Sequence, residues 1–198
     1  MARLAPTDVP VSMVLRLVLI LYRAKWFVRP LLRQFGFRPK MSWKEVMCAT
    51  RQLAPALSAY NPDLIIGVGV GGTIWAAILA GNLSDKSFVG IDREVTWSGG
   101  SREVRMTNMA CLEEIRERIT GKRILLVSGE IRSGQTLTLF KNHIKSFDPL
   151  EIRAASLDYS NSATARPEYY YLCSQEVIQK PWRELDTYTN PDNGARPD

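Results

Sequence analysis

Lys122-Arg-Ile-Leu-Leu-Val127 runs directly into Ser128-Gly-Glu-Ile-Arg-Ser-Gly-Gln-Thr136, and Thr136–Ser146 follows with helical spacing. The first six residues form a short apolar run that reads as a buried strand, and the helix opens after a glycine-bearing turn. The first backbone N–H groups of a helix have no partner within it, and together with the helix dipole they favour an anion at that end. Ser133, Gly134, Gln135 and Thr136 supply small side chains and hydroxyls at that point, which suits a phosphate. An ordinary strand-to-helix turn capped by Ser133 or Thr136 has the same composition.

Outward from this stretch, strands alternate with helices. Ser42 and Glu45 form a capping box, and Val46, Ala49, Leu53 and Leu57 recur at helical spacing as far as Tyr60-Asn61-Pro62. Leu64–Val68 reads as a buried strand, Gly69-Val-Gly-Gly72 as a turn and Thr73–Ala80 as a helix. Ser87–Asp92 and Glu151–Leu157 are further strands. The alternation predicts an α/β fold with a mostly parallel twisted sheet covered by helices, its ligand at the C-terminal strand ends. Loops 69–72 and 128–135 fall at those ends. The glycines of the first are suited to a close approach of backbone amides to a pyrophosphate. There is no GxGxxG followed by a ribose-binding acid and no GxxxxGK[ST], which argues against a Rossmann dinucleotide site and a P-loop. Trp97-Ser-Gly-Gly-Ser101 joins two β-prone stretches, Asp92–Trp97 and Glu103–Met106, and reads as a hairpin suited to a lid.

The chain has 198 residues and a formal charge of +6. Residues 1–40 hold eight basic residues and one acid, so the remainder, with 18 basic and 19 acidic residues, is at −1. A near-neutral domain gives little ground for a nucleic-acid partner. The basic arm includes Val11–Tyr22, apolar but for Ser12 and Arg16, with Trp26, Phe27, Phe35 and Phe37 close behind. The charge-free run Leu17–Tyr22 is too short to span a bilayer, which takes about 20 residues. Two destinations suit such a helical extension: an anionic membrane surface at a cytoplasmic face, or the domain or a second subunit. Three organisational segments result: the arm at 1–40, a domain at 41–185 and a polar tail at 186–198. Cys48, Cys111 and Cys173 are odd in number and without a CxxC, against a disulfide framework or a zinc site. The single histidine, His143, sits on a polar helix and reads as a surface residue.

Taken in order, these features resemble the type I phosphoribosyltransferases, most closely the bacterial xanthine-guanine type. The likeness runs from Ser42 to Trp182. It rests on Ser42-Trp43 with Ala49-Thr-Arg-Gln-Leu53, on Gly67-Val-Gly-Val-Gly-Gly72 with Ala76-Ala-Ile-Leu-Ala80, on Ile124–Thr136, on Pro167-Glu-Tyr-Tyr170 and on Lys180-Pro-Trp182. The resemblance implies a cytoplasmic glycosyltransferase that displaces pyrophosphate from phosphoribosyl pyrophosphate with a nitrogenous base, magnesium bridging the substrate oxygens. A homo-oligomer is expected, and no protein-held metal.

The same alignment shows departures. The family's two adjacent acids, which hold the ribose hydroxyls, fall on Ser128 and Gly129, and its third acid falls on Arg132. Glu130 stands one position late and, with Arg132, is the candidate for catalysis; Arg132 is also a candidate phosphate clamp. Ser133-Gly134-Gln135-Thr136 is retained as the phosphate loop, and Val70, Gly71 and Gly72 fall on the pyrophosphate loop. The base-reading lysine aligns with Asp158 and the stacking aromatic with Val177, with Tyr159 or Tyr171 nearby as a substitute. Three functions follow: a divergent transferase, a non-catalytic nucleotide-binding sensor or scaffold, or a membrane-recruited interaction protein whose domain has lost ligand binding. A Glu130 that faces the loop favours the first, and one bound elsewhere favours the second.

Overall fold

The computed structural model describes residues 39–183 apart from 99, 100 and 108. The predicted N-terminal helical extension, the 186–198 tail and the hairpin tip at 99–100 lie outside the described residues.

Helix α1, Trp43–Tyr60, begins as its capping box predicts: the Glu45 amide donates to Ser42 Oγ at 3.3 Å, and the Ser42 amide donates to Glu45 Oε2 at 2.7 Å. It ends at Asn61, whose left-handed φ of 50° lets its N–H close onto Leu57 O. Strand β1, Leu64–Val68, leads without a loop into α2, Gly69–Asn82. Here the structure corrects the expected turn at 69–72. Gly69 takes a φ of 66°, and the helix starts at once. The helix lies so close to the sheet that a Cβ on Gly72 would stand 2.4 Å from Val127 O. Packing therefore already requires a glycine at this position.

Strands β2 (Phe88–Ile91), β5 (Arg123–Ile131), β6 (Glu151–Tyr159) and β7 (Tyr169–Cys173) complete one sheet with β1, in the order β2-β1-β5-β6-β7. Every neighbouring pair is parallel. Strands β3 (Arg93–Ser98) and β4 (Ser101–Met106) pair antiparallel as the expected hairpin. Two short helices, α3 (Met109–Glu114) and α4 (Arg116–Ile119), precede β5, and α5 (Gln135–Lys145) follows it.

Alternation along β5 sorts the core into two layers. Leu125 and Val127 join Leu57, Trp75 and Leu79 beneath α1 and α2. Ile124 and Leu126 join Leu112, Ile119, Phe140 and Ile144 on the opposite face. A sheet covered on both faces explains why its strands read as continuous apolar runs. The α1–α2 layer also holds a satisfied polar pair: Trp75 Nε1 donates to Thr50 Oγ1 at 3.0 Å, and Thr50 Oγ1 donates to Val46 O at 2.9 Å. His143 is half-buried rather than a plain surface residue, its ring edge-on to Phe147 with centroids 5.0 Å apart.

Candidate functional site

The strand order switches sides at β1, with β2 on one side and β5 on the other, so the C-terminal ends of β1 and β5 form the crevice where such folds hold ligands. Two cavities open there. The narrower, about 40 Å³, is lined by Ser128, Glu130, Arg132, Ser133, Gly134 and Thr136 together with Arg93 and apolar residues. The wider, about 360 Å³, lies between the first turn of α2 (Gly69, Val70, Gly71, Gly72), Asp92 and Arg93, the Ser128–Glu130 stretch, and Lys180, Trp182 and Arg183.

Strand β5 runs four residues past Val127, so Ser128, Gly129 and Glu130 belong to the sheet and not to a loop. Ser128 pairs with Ser156 and Glu130 with Asp158. Ser128 Oγ donates to Glu130 O at 2.8 Å, occupying the hydroxyl within its own strand. The loop proper is Arg132-Ser133-Gly134. Gly134 has a φ of 85°, and a Cβ on it would stand 2.5 Å from the Ala165 amide nitrogen. The Thr164 amide and hydroxyl both donate to Ser133 O, at 3.0 and 2.9 Å, bracing the loop from the β6–β7 connection. The Gln135 side chain is exposed and lines neither cavity, whereas Ser133, Gly134 and Thr136 face the narrow one.

Five charged side chains meet beside the cavities. Asp158 is fully buried and forms ion pairs with Arg132 Nη2 and Lys180 Nζ. Both cations also hold backbone. Arg132 Nη1 donates to Ser174 O at 3.1 Å and to Glu176 O at 2.8 Å, and Lys180 Nζ donates to Ile178 O at 3.0 Å. The cluster thus fastens the 174–180 segment to the ends of β5 and β6. Burial lowers the Lys180 ammonium to about 8, with Glu130 opposing that shift and Arg132 and Arg183 reinforcing it; the group keeps its proton at neutral pH. Glu130 faces both cavities and is engaged as well: Arg183 Nη2 donates to its Oε1 at 3.3 Å, and Arg132 Nε lies 4.0 Å from Oε2.

Trp182 packs close to Gly129 and Gly71. A Cβ on Gly129 would stand 3.1 Å from Trp182 Cζ2 and 3.3 Å from the Gly71 carbonyl carbon, and one on Gly71 would stand 2.8 Å from Trp182 Nε1. The indole is held from behind by Trp43, with ring centroids 5.9 Å apart.

The structure brings most of the anticipated residues together: Glu130, Arg132, Ser133, Gly134 and Thr136 at one cavity, and Val70, Gly71, Gly72 and Glu130 at the other. The residues assigned to a base pocket line neither cavity. Asp158 is committed to its two cations. Tyr159 is buried edge-on to Tyr170, with centroids 4.5 Å apart, and Val177 is exposed. Arg132, anticipated as a phosphate clamp, has its guanidinium turned to Asp158 and two carbonyls. Arg93 and Arg183 were not anticipated as site residues. The position of Arg93, just past a predicted strand, was the available signal; Arg183 follows the Pro-Trp pair already noted.

Residues 42–188 match the sequence profile of the phosphoribosyl transferase domain. A search of curated protein sequences gave no match. Among solved structures, the purine phosphoribosyltransferase of Pyrococcus horikoshii Ot3 is similar at 27% identity and TM-score 0.63, over 73% of this chain and 93% of that one. A Neisseria gonorrhoeae protein with bound ppGpp aligns at 22% identity and TM-score 0.66, over 75% and 90% of the two chains. The xanthine-guanine-hypoxanthine phosphoribosyltransferase of Helicobacter pylori aligns at 15% identity and TM-score 0.57, over 77% and 100%. Purine, hypoxanthine and xanthine-guanine types all appear, so the likeness is to the family and not to the xanthine-guanine type in particular. With the parallel sheet, the glycine turn before α5 and the profile match over most of its length, this chain belongs to the phosphoribosyl transferase domain family.

Proposed function

We propose that the domain binds a nucleotide or phosphoribosyl ligand, with a phosphate at Ser133–Thr136, and acts as a binding module without transferring the phosphoribosyl group. The observation that carries this reading is the tight contact of Trp182 and Gly71 over Gly129. The glycine loop before α5 lies beside a strand end where a side chain at Gly129 would crowd Trp182 and Gly71, at 3.1 and 3.3 Å from its Cβ, and where the residue before it is Ser128 rather than an acid. Stabilising a cation-like sugar in the transition state calls for preorganised negative charge at that point. Glu130 is the carboxylate at hand, and Arg183 and Arg132 neutralise it. The ppGpp seen in the Neisseria relative makes a guanine nucleotide with two phosphorylated ends a suitable probe here.

One observation favours a second reading, an active transferase of altered mechanism: Glu130 faces both cavities. A ligand phosphate that drew Arg183 away would free it to accept from ribose hydroxyls. In either reading magnesium would arrive on the ligand's phosphates, as the family resemblance implies. For the arm, its charge supports attachment to an anionic membrane surface at the cytoplasmic face, with homo-oligomerisation as the competing use.

The test is calorimetric titration of the full chain with phosphoribosyl pyrophosphate plus magnesium, nucleoside 5′-monophosphates and ppGpp, alongside a pyrophosphate-release assay with purine and pyrimidine bases. Binding without base-dependent release supports the module. Sustained base-dependent release selects the transferase, and no binding of any phosphorylated ligand rejects both.

A further inference from the structure

We infer that two copies of this chain pair through α2, its outer stripe packed antiparallel against the same stripe of the second copy. Helix α2 holds no charged residue from Gly69 to Asn82 and shows almost no separation of polar and apolar sides. A helix of that kind is ordinarily enclosed by protein. One side of α2 is: Gly72, Trp75, Ala76, Leu79 and Ala80 are buried, and the helix packs on β1, β2 and β5 and beside α1. The other side is open. Val70 is 67% exposed, Ala77 and Gly81 are exposed, and Ile74 is half-buried. Among the described residues nothing lies within 4 Å of where a Gly81 Cβ would stand. Phe88 on the edge strand β2 adds a ring that is 44% exposed. It lies on the same face of β2 as Gly90, whose Cβ would meet Thr73 of α2 at 2.5 Å, so the ring flanks the helix.

Spacing, size and charge choose the occupant. Val70, Ile74, Ala77 and Gly81 follow one another at four, three and four residues, the repeat of a seam between two helices. The large side chains stand at the start of the stripe and the small ones at its end. Against a second copy running antiparallel about a two-fold axis, Val70 falls opposite Gly81 and Ile74 opposite Ala77, large upon small in every contact. A parallel copy would set Ile74 on Ile74 and leave Gly81 on Gly81. The first turn of α2 has no acid and the last turn no base, so its own side chains offset neither end of the helix dipole. The antiparallel copy brings the C-terminal end of one helix beside the N-terminal end of the other, and no side-chain charge within either helix opposes the approach. A seam about 16 Å long, even with Phe88 beside it, is smaller than the roughly 800 Å² per partner of tight complexes, so the dimer is a weak one of micromolar strength. Val70 also lines the wider cavity, so the second copy's last turn of α2 borders that cavity in the dimer.

The experiment is analytical ultracentrifugation of the full chain from about 1 to about 300 µM, a range that brackets a micromolar dimer. The wild type should pass from monomer to dimer across it. Ala77→Glu sets two like charges near the axis and should weaken the dimer more than about tenfold. Ile74→Ala alone leaves a void and Ala77→Ile alone sets isoleucine against isoleucine; each should weaken it about five- to tenfold. The double exchange Ile74→Ala/Ala77→Ile puts large upon small again and should return to within about threefold of wild type. Where Ile74→Ala also melts lower, Ala77→Glu on the exposed side carries the test alone. A wild type that stays monomeric throughout, or a dimer untouched by Ala77→Glu, overturns the pairing. A double exchange no tighter than the weaker single variant overturns the antiparallel register and with it the proposal. A monomer whose sedimentation with zwitterionic vesicles is lost in Ala77→Glu assigns the stripe to a lipid surface and overturns it too.

Discussion

Replacing Asp158 by Asn keeps the shape of the side chain and removes its charge, leaving Arg132 and Lys180 facing each other across a neutral amide. Asp158 is fully buried, the Lys180 side chain is 2% exposed and that of Arg132 22% exposed. Removing one partner of a buried ion pair costs about 3–5 kcal/mol, because the remaining charge is left uncompensated. Partial access of water to Arg132 places this case near the lower end, at about 3 kcal/mol. For a protein of this size each kcal/mol lowers the melting temperature by roughly 2–4 °C, so a drop of roughly 6–12 °C is expected. The loss has a location as well, since the same cations hold the carbonyls of Ser174, Glu176 and Ile178. Thermal unfolding followed by circular dichroism reads the first quantity, and hydrogen exchange across 174–180 reads the second. The double variant Asp158→Asn/Lys180→Met should melt higher than Asp158→Asn alone, because it removes one orphaned cation, and this non-additivity is the signature of a coupled cluster. A single variant that melts within about 1 °C of wild type, with unchanged exchange at 174–180, would refute the reasoning.

Gly129→Asp should lower the melting temperature without creating pyrophosphate release, because the new side chain crowds Trp182; adding Trp182→Ala should relieve the contact, and a stable single variant with transferase activity would contradict the binding-module reading. Gly134→Val should abolish binding of phosphorylated ligands, since φ there is 85° and Ala165 blocks a Cβ; unchanged calorimetric affinity would remove the loop from the site. Thr136→Ala should weaken the same ligands about fivefold, the worth of a hydrogen bond of about 1 kcal/mol, with a normal melting temperature. A chain lacking residues 1–38 should stay soluble and unfold cooperatively in a denaturant titration. The full-length chain should sediment with anionic vesicles, less so as salt screens surface charge; a full-length dimer that ignores vesicles and is lost on truncation would instead assign the arm to self-association.

The capping box at Ser42 and Glu45 and the apolar runs at 64–68 and 123–127 were readable because each depends on neighbours within a few residues. The misplaced boundaries share a different cause. Ser128-Gly129-Glu130 has the composition of a loop, yet the ladder with Ser156 and Asp158 on β6 carries β5 through it. Gly69–Gly72 has the composition of a turn, yet a positive φ at one residue and contact with Val127 O draw the whole stretch into α2. In both cases a partner distant in sequence decides. The same holds at the site. The glycine turn that opens α5 was readable from four consecutive residues, whereas the commitment of Arg132 to Asp158 and Ser174, and the approach of Trp182 to Gly129, join segments between 26 and 53 residues apart. A basic residue in a strand-end loop looks the same in sequence whether it binds ligand or its own backbone.

The short ladder at the start of the domain links it mechanically to the cavity. The Met41 amide donates to Gln179 O and the Gln179 amide donates to Pro39 O, each at 2.8 Å, so the first described residues and Gln179 move as one unit. Gln179 is the residue before Lys180, and Trp182 and Arg183 follow on the wall of the wider cavity. Tension applied to the chain at Pro39 is therefore carried by two hydrogen bonds into the wall of the wider cavity. A shift large enough to break them would release the segment bearing those three side chains.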